Sequence, residues 1–226
     1  GGRRRVLRDE GRLAVLRLED VHVSYGPVAA LWGVSLDVAA GEIVALVGAN
    51  GAGKTTTLRT ISGLLRPTSG RILLDGEPVE RLATTEIVER GIVQVPEGRK
   101  LFPEMTVKEN VMVGRHCRTC AKNLSVIIRT DAMKTEEKEI EEKSLEDLRF
   151  LGLAEQAPNM AKNLPYGLQR KVEIARALIL RPKLLLLDEP SAGINLGEKE
   201  ALIGLIRWIR REFNLTLWLI EHEMRV

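Results

Sequence analysis

A glycine-rich loop at residues 48–55 constrains this chain most, because it joins an apolar run that suits a strand to a segment that suits a helix. It reads Gly-Ala-Asn-Gly-Ala-Gly-Lys-Thr, which is a complete P-loop pattern. Glycines let such a loop wrap closely, so that several backbone N–H groups face one oxyanion beside the positive end of a helix dipole. A glycine-rich turn that fits by chance would not need this strand–loop–helix context. The loop therefore predicts binding of a nucleoside triphosphate.

Two side chains at the end of the loop indicate how the nucleotide is held. Lys54 is expected to reach the β- and γ-phosphates, and the Thr55 hydroxyl is expected to ligate Mg²⁺. The predicted nucleotide contacts in this region are Gly48, Ala49, Asn50, Gly51, Ala52, Gly53, Lys54, Thr55 and Thr56.

A second motif begins with the four leucines Leu184–Leu187, a run that suits a strand buried on both faces. Asp188 and Glu189 follow it directly, at the carboxyl end where ligands bind in open α/β sheets. Asp188 fits the role of holding Mg²⁺, usually through water, and Glu189 could orient or deprotonate the attacking water. Acidic residues also cap helices, and it is the pairing with a P-loop that favours the catalytic interpretation.

The remaining chain alternates strand-like and helix-like segments, which indicates an α/β protein with a mostly parallel sheet. Residues 16–25 and 31–38 alternate apolar and polar side chains, as half-buried antiparallel strands do. Further strands are predicted at 43–47, 71–74, 92–95, 184–187 and 215–220. Helices are predicted at 54–63, 106–114, 133–151, 168–180 and 198–212.

The positive charge of the chain is local. Residues 1–17 contain six arginines against Asp9 and Glu10, whereas the formal net charge of all 226 residues is only +3. A protein that binds nucleic acid is basic across a whole face, so no nucleic-acid partner is expected. Residues 1–14 are predicted to be a basic disordered arm. No apolar run is long enough for a membrane span, and no apolar stretch follows the basic N-terminal residues as it would in a signal peptide. These observations predict a cytoplasmic protein.

Further polar segments stand in a fixed order around these two motifs. They are Tyr25 in Val23–Gly26, Gln94 after strand 92–95, Leu164–Leu178 before the leucine strand, Ser191–Asn195 after it, and His222 after the last strand. Taken singly, they suit a strand aromatic, a strand-end polar residue or a structural histidine. In this order, from about Leu16 to the last residue, they resemble the ATP-binding cassette (ABC) ATPases.

The resemblance implies ATP as the nucleotide and a role for each segment. Tyr25 looks like the aromatic residue that stacks on adenine, and Gln94 looks like the glutamine that joins Thr55 and Asp188 around Mg²⁺. Leu164, Pro165, Tyr166 and Gly167 resemble the signature that contacts nucleotide on a second subunit. His222 resembles the histidine that contacts the transition-state oxygens. The implied catalytic residues are Glu189, His222, Lys54 and Gln94.

The same resemblance implies an architecture and partners. A domain spanning residues 15–226 would have a P-loop NTPase core, an N-terminal antiparallel β-subdomain and an inserted helical subdomain at about 97–171. It would work as a homo- or heterodimer of ABC ATPase subunits, bound to transmembrane permease subunits on the inner face of the cell membrane. Dimer closure around ATP would drive transport, and hydrolysis would reset the dimer.

Within the family, the chain is similar to the ATPase pair of branched-chain amino-acid importers. Val95–Val107 looks like one of the two paralogues, whereas Gly114–Thr119 and Asn163–Gly167 look like the other. The chain therefore resembles the front of one paralogue joined to the back of the second. Natural recombination, a reconstruction or design, and a misassembled gene all remain open as origins.

Three departures from the family pattern bear on activity. Pro165 stands where the signature serine is usual, Asn195 stands where an aspartate is usual, and the sequence is expected to be truncated shortly after His222. Two alternatives therefore stay open beside an importer ATPase. One is an ABC ATPase unconnected with transport, although such proteins usually carry a long coiled coil or two cassettes. The other is a chimeric fragment that binds nucleotide without hydrolysing it.

Overall fold

The computed structural model describes residues 14–98, 100–119 and 131–221, and the chain divides into two compact units. The first unit comprises Gly1–Gln94, Lys183–Glu189 and Arg207–Val226. The second comprises Val95–Pro182 and Pro190–Ile206. The predicted basic arm lies outside the described residues as far as residue 13, and Ala14 begins the first strand.

An antiparallel sheet forms one layer of the first unit. Its strands, in the spatial order β2-β1-β4-β5, are β1 (Ala14–Tyr25), β2 (Val28–Ala39), β4 (Ser69–Leu74) and β5 (Glu77–Pro78). Alternate residues of β1 are buried, including Leu16 and Leu18, so the period-2 pattern of the sequence marks the face turned to the core. The predicted antiparallel N-terminal strands are confirmed.

The second sheet of this unit carries the predicted chemistry. Its strands, in the order β3-β8-β7-β6, are β3 (Ile43–Val47), β8 (Thr216–Glu221), β7 (Leu184–Asp188) and β6 (Ile92–Val95). β8 pairs in parallel with both β3 and β7. Because Val47 lies opposite Glu221 and Asp188 lies opposite Ile220, β3 and β7 end at the same edge of the sheet.

The first unit also contains helices, among them α1 (Lys54–Ile61) and α2 (Thr84–Arg90). α1 buries Leu58 and Ile61 in a core that also contains Trp218 from β8. α2 was not predicted, because it is short and Ile87 is its one buried side chain. A single apolar contact leaves no helical period to detect in the sequence.

The second unit is mainly helical. It contains α3 (Val107–Thr119), α4 (Asp131–Phe150) and α5 (Tyr166–Leu178), and α6 (Leu196–Phe213) begins within it. α3 packs against α5 at Gly114, where an added Cβ would lie 2.5 Å from the Arg176 carbonyl oxygen. The crossing of these helices therefore requires glycine. Among the described residues, no helix has both the length and the apolar character that crossing a bilayer needs.

The start of α5 corrects one prediction. A helix was predicted to begin at residue 168, but α5 begins at Tyr166 with Pro165 as its N-cap. The first N–H groups of a helix have no partner within the helix, so a preceding proline removes no helical hydrogen bond. Gly167 therefore lies within the first turn of α5.

Candidate nucleotide-binding site

The loop between β3 and α1 depends on glycine at two positions. Gly51 and Gly53 have φ values of 80° and 84°, in the left-handed region that favours glycine. An added Cβ at Gly53 would also lie 3.0 Å from the Ala30 carbonyl oxygen on β2, so the backbone of β2 leaves little room for a side chain. Gly53 caps α1 without a side-chain hydrogen bond. The loop thus brings the positive end of α1 to the edge of the parallel sheet.

The Lys54 ammonium is folded over the loop that precedes it. It donates to the carbonyl oxygens of Gly48 at 2.7 Å and Ala49 at 3.0 Å, and the residue is only 7% exposed. A buried ammonium needs oxygen partners to offset its lost hydration. The two carbonyls provide them, and they hold the positive charge inside the curve of the loop.

Thr55 and Asp188 meet at the same edge of the sheet. The Thr55 hydroxyl lies 3.5 Å from Asp188 Oδ1, although 133 residues separate them in sequence. Asp188 ends the buried strand β7 and is 2% exposed. A hydroxyl and a carboxylate are hard oxygen donors of the kind that Mg²⁺ prefers, so this pair fits the predicted metal role.

Glu189 has an unusual backbone conformation. Its φ of 46° is in the left-handed region, which few residues other than glycine adopt. Pro190 follows it, and a proline favours an extended conformation in the residue before it. The Glu189 N–H donates to the Ile220 carbonyl at 3.2 Å. Backbone strain of this kind costs about 1–3 kcal/mol and persists only where surrounding contacts hold it.

Two more predicted residues are tied to α1. Gln94, at the end of β6, accepts a 2.7 Å hydrogen bond from the Ser62 hydroxyl at the C-cap of α1. The Tyr25 hydroxyl lies 3.5 Å from the Thr56 hydroxyl, and 44% of the Tyr25 surface is exposed. Tyr25 therefore lies beside the loop at the N-terminal end of α1, whereas the Gln94 side chain lies at the C-terminal end, about 10 Å along the helix from the loop. His222 lies outside the described residues.

The signature-like residues belong to the second unit. Leu164 is buried, and the Tyr166 hydroxyl donates to the Ala192 carbonyl at 2.6 Å. Pro165, Gly167 and Leu168 line a cavity of about 220 Å³ together with residues of the 194–202 segment. The Glu198 side chain packs against Gly167, where an added Cβ would lie 2.9 Å from Glu198 Oε1.

Arg170 and Glu173 form a buried ion pair that was not predicted as part of a site. Their charged groups are 2.7 Å apart, and the side chains are 6% and 3% exposed. Arg170 also donates to the carbonyl oxygens of Pro190 and Pro96, each at 3.2 Å, and Glu173 accepts the Lys100 N–H at 2.6 Å. Opposite charges three residues apart on the apolar side of α5 were the available signal.

Comparison with known proteins agrees with this geometry. The ABC transporter family model matches residues 31–192. The chain belongs to the ABC transporter ATPase family. The predicted family and fold class are therefore confirmed, and this ABC ATPase has the nucleotide-binding domain that the family shares.

Relatives in bacteria match almost the whole of this ABC ATPase. The high-affinity branched-chain amino acid transport ATP-binding protein BraF of Pseudomonas aeruginosa is 38% identical over 94% of this chain and 83% of its own length. The corresponding protein LivG of Escherichia coli K12 is 37% identical over the same shares. The predicted resemblance to branched-chain amino-acid importer ATPases is confirmed, while the division between two paralogues stays a prediction.

Solved structures with this fold are also ABC cassettes. The ADP conformation of MJ1267, an ATP-binding cassette of an ABC transporter, is 29% identical, with a TM-score of 0.79 over 93% of this chain and 82% of that one. The structure of cbiO1 from Clostridium perfringens, part of an ABC transporter complex, is 28% identical, with a TM-score of 0.76 over 93% and 79% of the two chains.

Proposed function

We propose that this ABC ATPase binds and hydrolyses ATP with Mg²⁺ as the ATP-binding subunit of an importer for branched-chain amino acids. The contact between Thr55 and Asp188, beside the Lys54 ammonium, carries the catalytic part of the proposal. The similarity to BraF and LivG supports the choice of transported substrate.

The nucleotide would lie along the loop, with adenine on the Tyr25 ring and the phosphates at the N-terminus of α1. Lys54 would balance the negative charge of the β- and γ-phosphates. Thr55 and Asp188 would hold Mg²⁺, and Gln94 would join them only after its side chain leaves the Ser62 hydroxyl. When bound, Mg²⁺ neutralises charge on the phosphate oxygens. The protein contributes mainly positioning and electrostatic stabilisation to phosphoryl transfer.

In the proposed reaction, Glu189 accepts a proton from water as the water oxygen forms a bond to the γ-phosphorus. The bond between the γ-phosphorus and the oxygen that bridges to the β-phosphate breaks, so ADP and inorganic phosphate are released. His222 would donate to the oxygens of the transferring phosphoryl group. The residues around Glu189 have to aim its carboxylate, because general-base catalysis requires hydrogen-bond contact with the water.

We further propose that two ABC ATPase subunits pair head to tail. The backbone of Leu164, Pro165, Tyr166 and Gly167 of each subunit would then face the nucleotide bound by the other. Permease subunits would bind the dimer at the cytoplasmic face of the membrane. The N-terminal amides of α5 remain near the signature positions, so they suit a phosphate even though Pro165 replaces the usual serine.

The substitution Glu189→Gln tests the hydrolytic role. We expect turnover to fall by about 10²–10⁴-fold, the usual contribution of a general base, while Mg-ATP affinity stays unchanged. Phosphate release and equilibrium ATP binding are the measurements. Glu212→Gln, at an exposed position near the end of α6, is the matched control. Turnover at the unsubstituted rate in Glu189→Gln would contradict the assignment.

Transport is tested separately, with the permease that co-purifies from membranes. After reconstitution in proteoliposomes with its substrate-binding protein, ATP should drive accumulation of leucine, isoleucine or valine. Ribose and methionine are suitable controls, because other relatives are named as ribose and methionine import ATP-binding proteins. Accumulation of a control compound alone would contradict the proposed substrate class.

A further inference from the structure

The backbone that follows Glu189 is held by side chains of one helix, α5. Arg170 Nε donates to the Pro190 carbonyl at 3.2 Å, and the Tyr166 hydroxyl donates to the Ala192 carbonyl at 2.6 Å. Carbonyls 190 and 192 are thus fixed from within the second unit. An added Cβ at Gly193 would lie 3.2 Å from the Tyr166 hydroxyl oxygen, so the loop packs closely against this side chain.

The Arg170 anchor is itself rigid. Its guanidinium is paired with Glu173 at 2.7 Å, both residues are at least 95% buried, and Glu173 also accepts the Lys100 N–H. A guanidinium presents several donors in one plane, so the ion pair fixes the direction of the remaining N–H groups. The Pro190 carbonyl therefore meets a donor with a defined position.

Hydrogen bonds hold the backbone on both sides of Glu189. The amide side is fixed by the hydrogen bond from its N–H to Ile220, and the carboxyl side continues into the carbonyl that Arg170 holds. A φ of 46° before a proline needs such support, because the preferred conformation at this position is extended. Relaxation toward the extended region would change the direction of the Glu189 Cα–Cβ bond relative to the neighbouring backbone.

We propose that Arg170 and Tyr166 are positioning residues that aim the Glu189 carboxylate by holding the Pro190 and Ala192 carbonyls. This inference rests on the proposed role of Glu189 as general base. A misplacement of about 1 Å in a catalytic group lowers rates by as much as about 100-fold. We therefore expect the loss of either contact to lower kcat.

The test uses two conservative variants of the full chain. Tyr166→Phe removes one hydroxyl, and Arg170→Lys keeps the charge opposite Glu173 but loses the planar fork. We expect each to lower kcat by about 10-fold or more, with the KM for ATP and the affinity for Mg-ATP unchanged. Arg181→Lys is the matched control, because Arg181 pairs with Asp147 elsewhere in the second unit. Thermal unfolding of each variant shows whether it is folded.

A double-mutant cycle with Glu189→Gln identifies the route of the effect. If Tyr166 and Arg170 act through the Glu189 carboxylate, adding Tyr166→Phe or Arg170→Lys to Glu189→Gln should not slow single-turnover hydrolysis further. Multiplicative effects, or unchanged kcat in both folded single variants, would overturn the inference. Normal turnover in Glu189→Gln alone would instead overturn the proposed function, so the two failures are distinguishable. If Arg170→Lys does not fold, Tyr166→Phe alone decides the outcome.

Discussion

The Tyr25 ring, rather than its hydroxyl, is expected to supply most of the affinity for the base. Stacking of a base on an aromatic ring is worth about 1–3 kcal/mol. Tyr25→Ala should therefore weaken ATP binding by about 5- to 150-fold. Tyr25→Phe keeps the ring and removes only the long 3.5 Å contact with Thr56, so it should bind nearly normally. Equilibrium titration with ATP measures both variants.

The same argument predicts little discrimination between bases. Stacking does not read the edge of the base, so ATP and GTP should bind to the unsubstituted protein with similar affinity. Unchanged ATP affinity in Tyr25→Ala would show that this ring does not contact the bound nucleotide. Equal losses in Tyr25→Ala and Tyr25→Phe would instead show that the hydroxyl carries the contact.

Sequence spacing predicted some site residues better than others. Lys54, Thr55 and Asp188 were predictable because each belongs to a local pattern whose strand fixes its direction. The tasks of Arg170 and Tyr166 were not predictable, because their partners are carbonyl groups 20 and 26 residues away. Every residue has a backbone carbonyl, so such a partner has no signature in a sequence.

At the scale of elements, the start of α3 shows how a few polar groups define a helix boundary. The Thr106 N–H and hydroxyl donate to the Glu109 carboxylate at 2.7 and 2.8 Å, and the Glu109 N–H donates back to the Thr106 hydroxyl at 3.2 Å. This is a capping box, which satisfies N–H groups that lack a partner within the helix. The hydrogen bond from the Thr106 backbone, followed by that from its hydroxyl, lowers the pKa of Glu109.

A lowered pKa in the folded state makes the contribution of Glu109 dependent on pH. The stabilisation is present above the pKa of the unfolded chain and is lost as the pH falls through the folded-state pKa. Glu109→Ala should lower the free energy of unfolding at neutral pH by about 0.5 kcal/mol or less, because the carboxylate is exposed and screened by solvent. This deficit should shrink in acid. Denaturant unfolding at neutral pH and in acid measures the free energy of unfolding under each condition. Glu142→Ala, exposed on α4, is the control, and a deficit independent of pH would contradict the ionic origin.

Most elements were predictable because their burial is periodic or continuous. The leucine run of β7 is buried at every position, and β1 buries alternate residues, as their patterns indicated. α2 and the two-residue strand β5 were missed, since neither is long enough to show a period. α3 runs to Thr119, beyond the predicted end at 114, because tertiary packing at Gly114 continues a helix that glycine disfavours locally.

At the scale of the whole molecule, the head-to-tail arrangement predicts a dimer that depends on nucleotide. Glu189→Gln should slow hydrolysis and let the ATP-bound form accumulate. Analytical ultracentrifugation of this variant with Mg-ATP should then give twice the 25.1 kDa mass of one chain. Without nucleotide the phosphate contacts across the interface are absent, so the mass of a single chain is expected. A single-chain mass under both conditions, at concentrations that saturate the ATP site, would contradict the sandwich.

The division into units was only partly readable from the sequence. A helical insertion was predicted at about 97–171, and the second unit of the structure contains that stretch together with Pro190–Ile206. Neither the composition nor the periodicity of Pro190–Ile206 indicates that this segment belongs to the second unit. Its membership follows from contacts with α5, including Tyr166 with Ala192, which form only after the chain has returned from β7.

The two carbonyl contacts of Lys54 have a consequence for how variants at this position are interpreted. The ammonium cross-links the loop that it serves, so its loss removes an internal brace as well as a charge. A Lys54 variant therefore reports loop geometry and phosphate attraction together. The two effects can be separated by asking whether inorganic pyrophosphate, adenosine and ATP lose affinity in the same proportion. A collapsed loop affects every ligand that touches it, whereas a missing charge leaves adenosine unaffected.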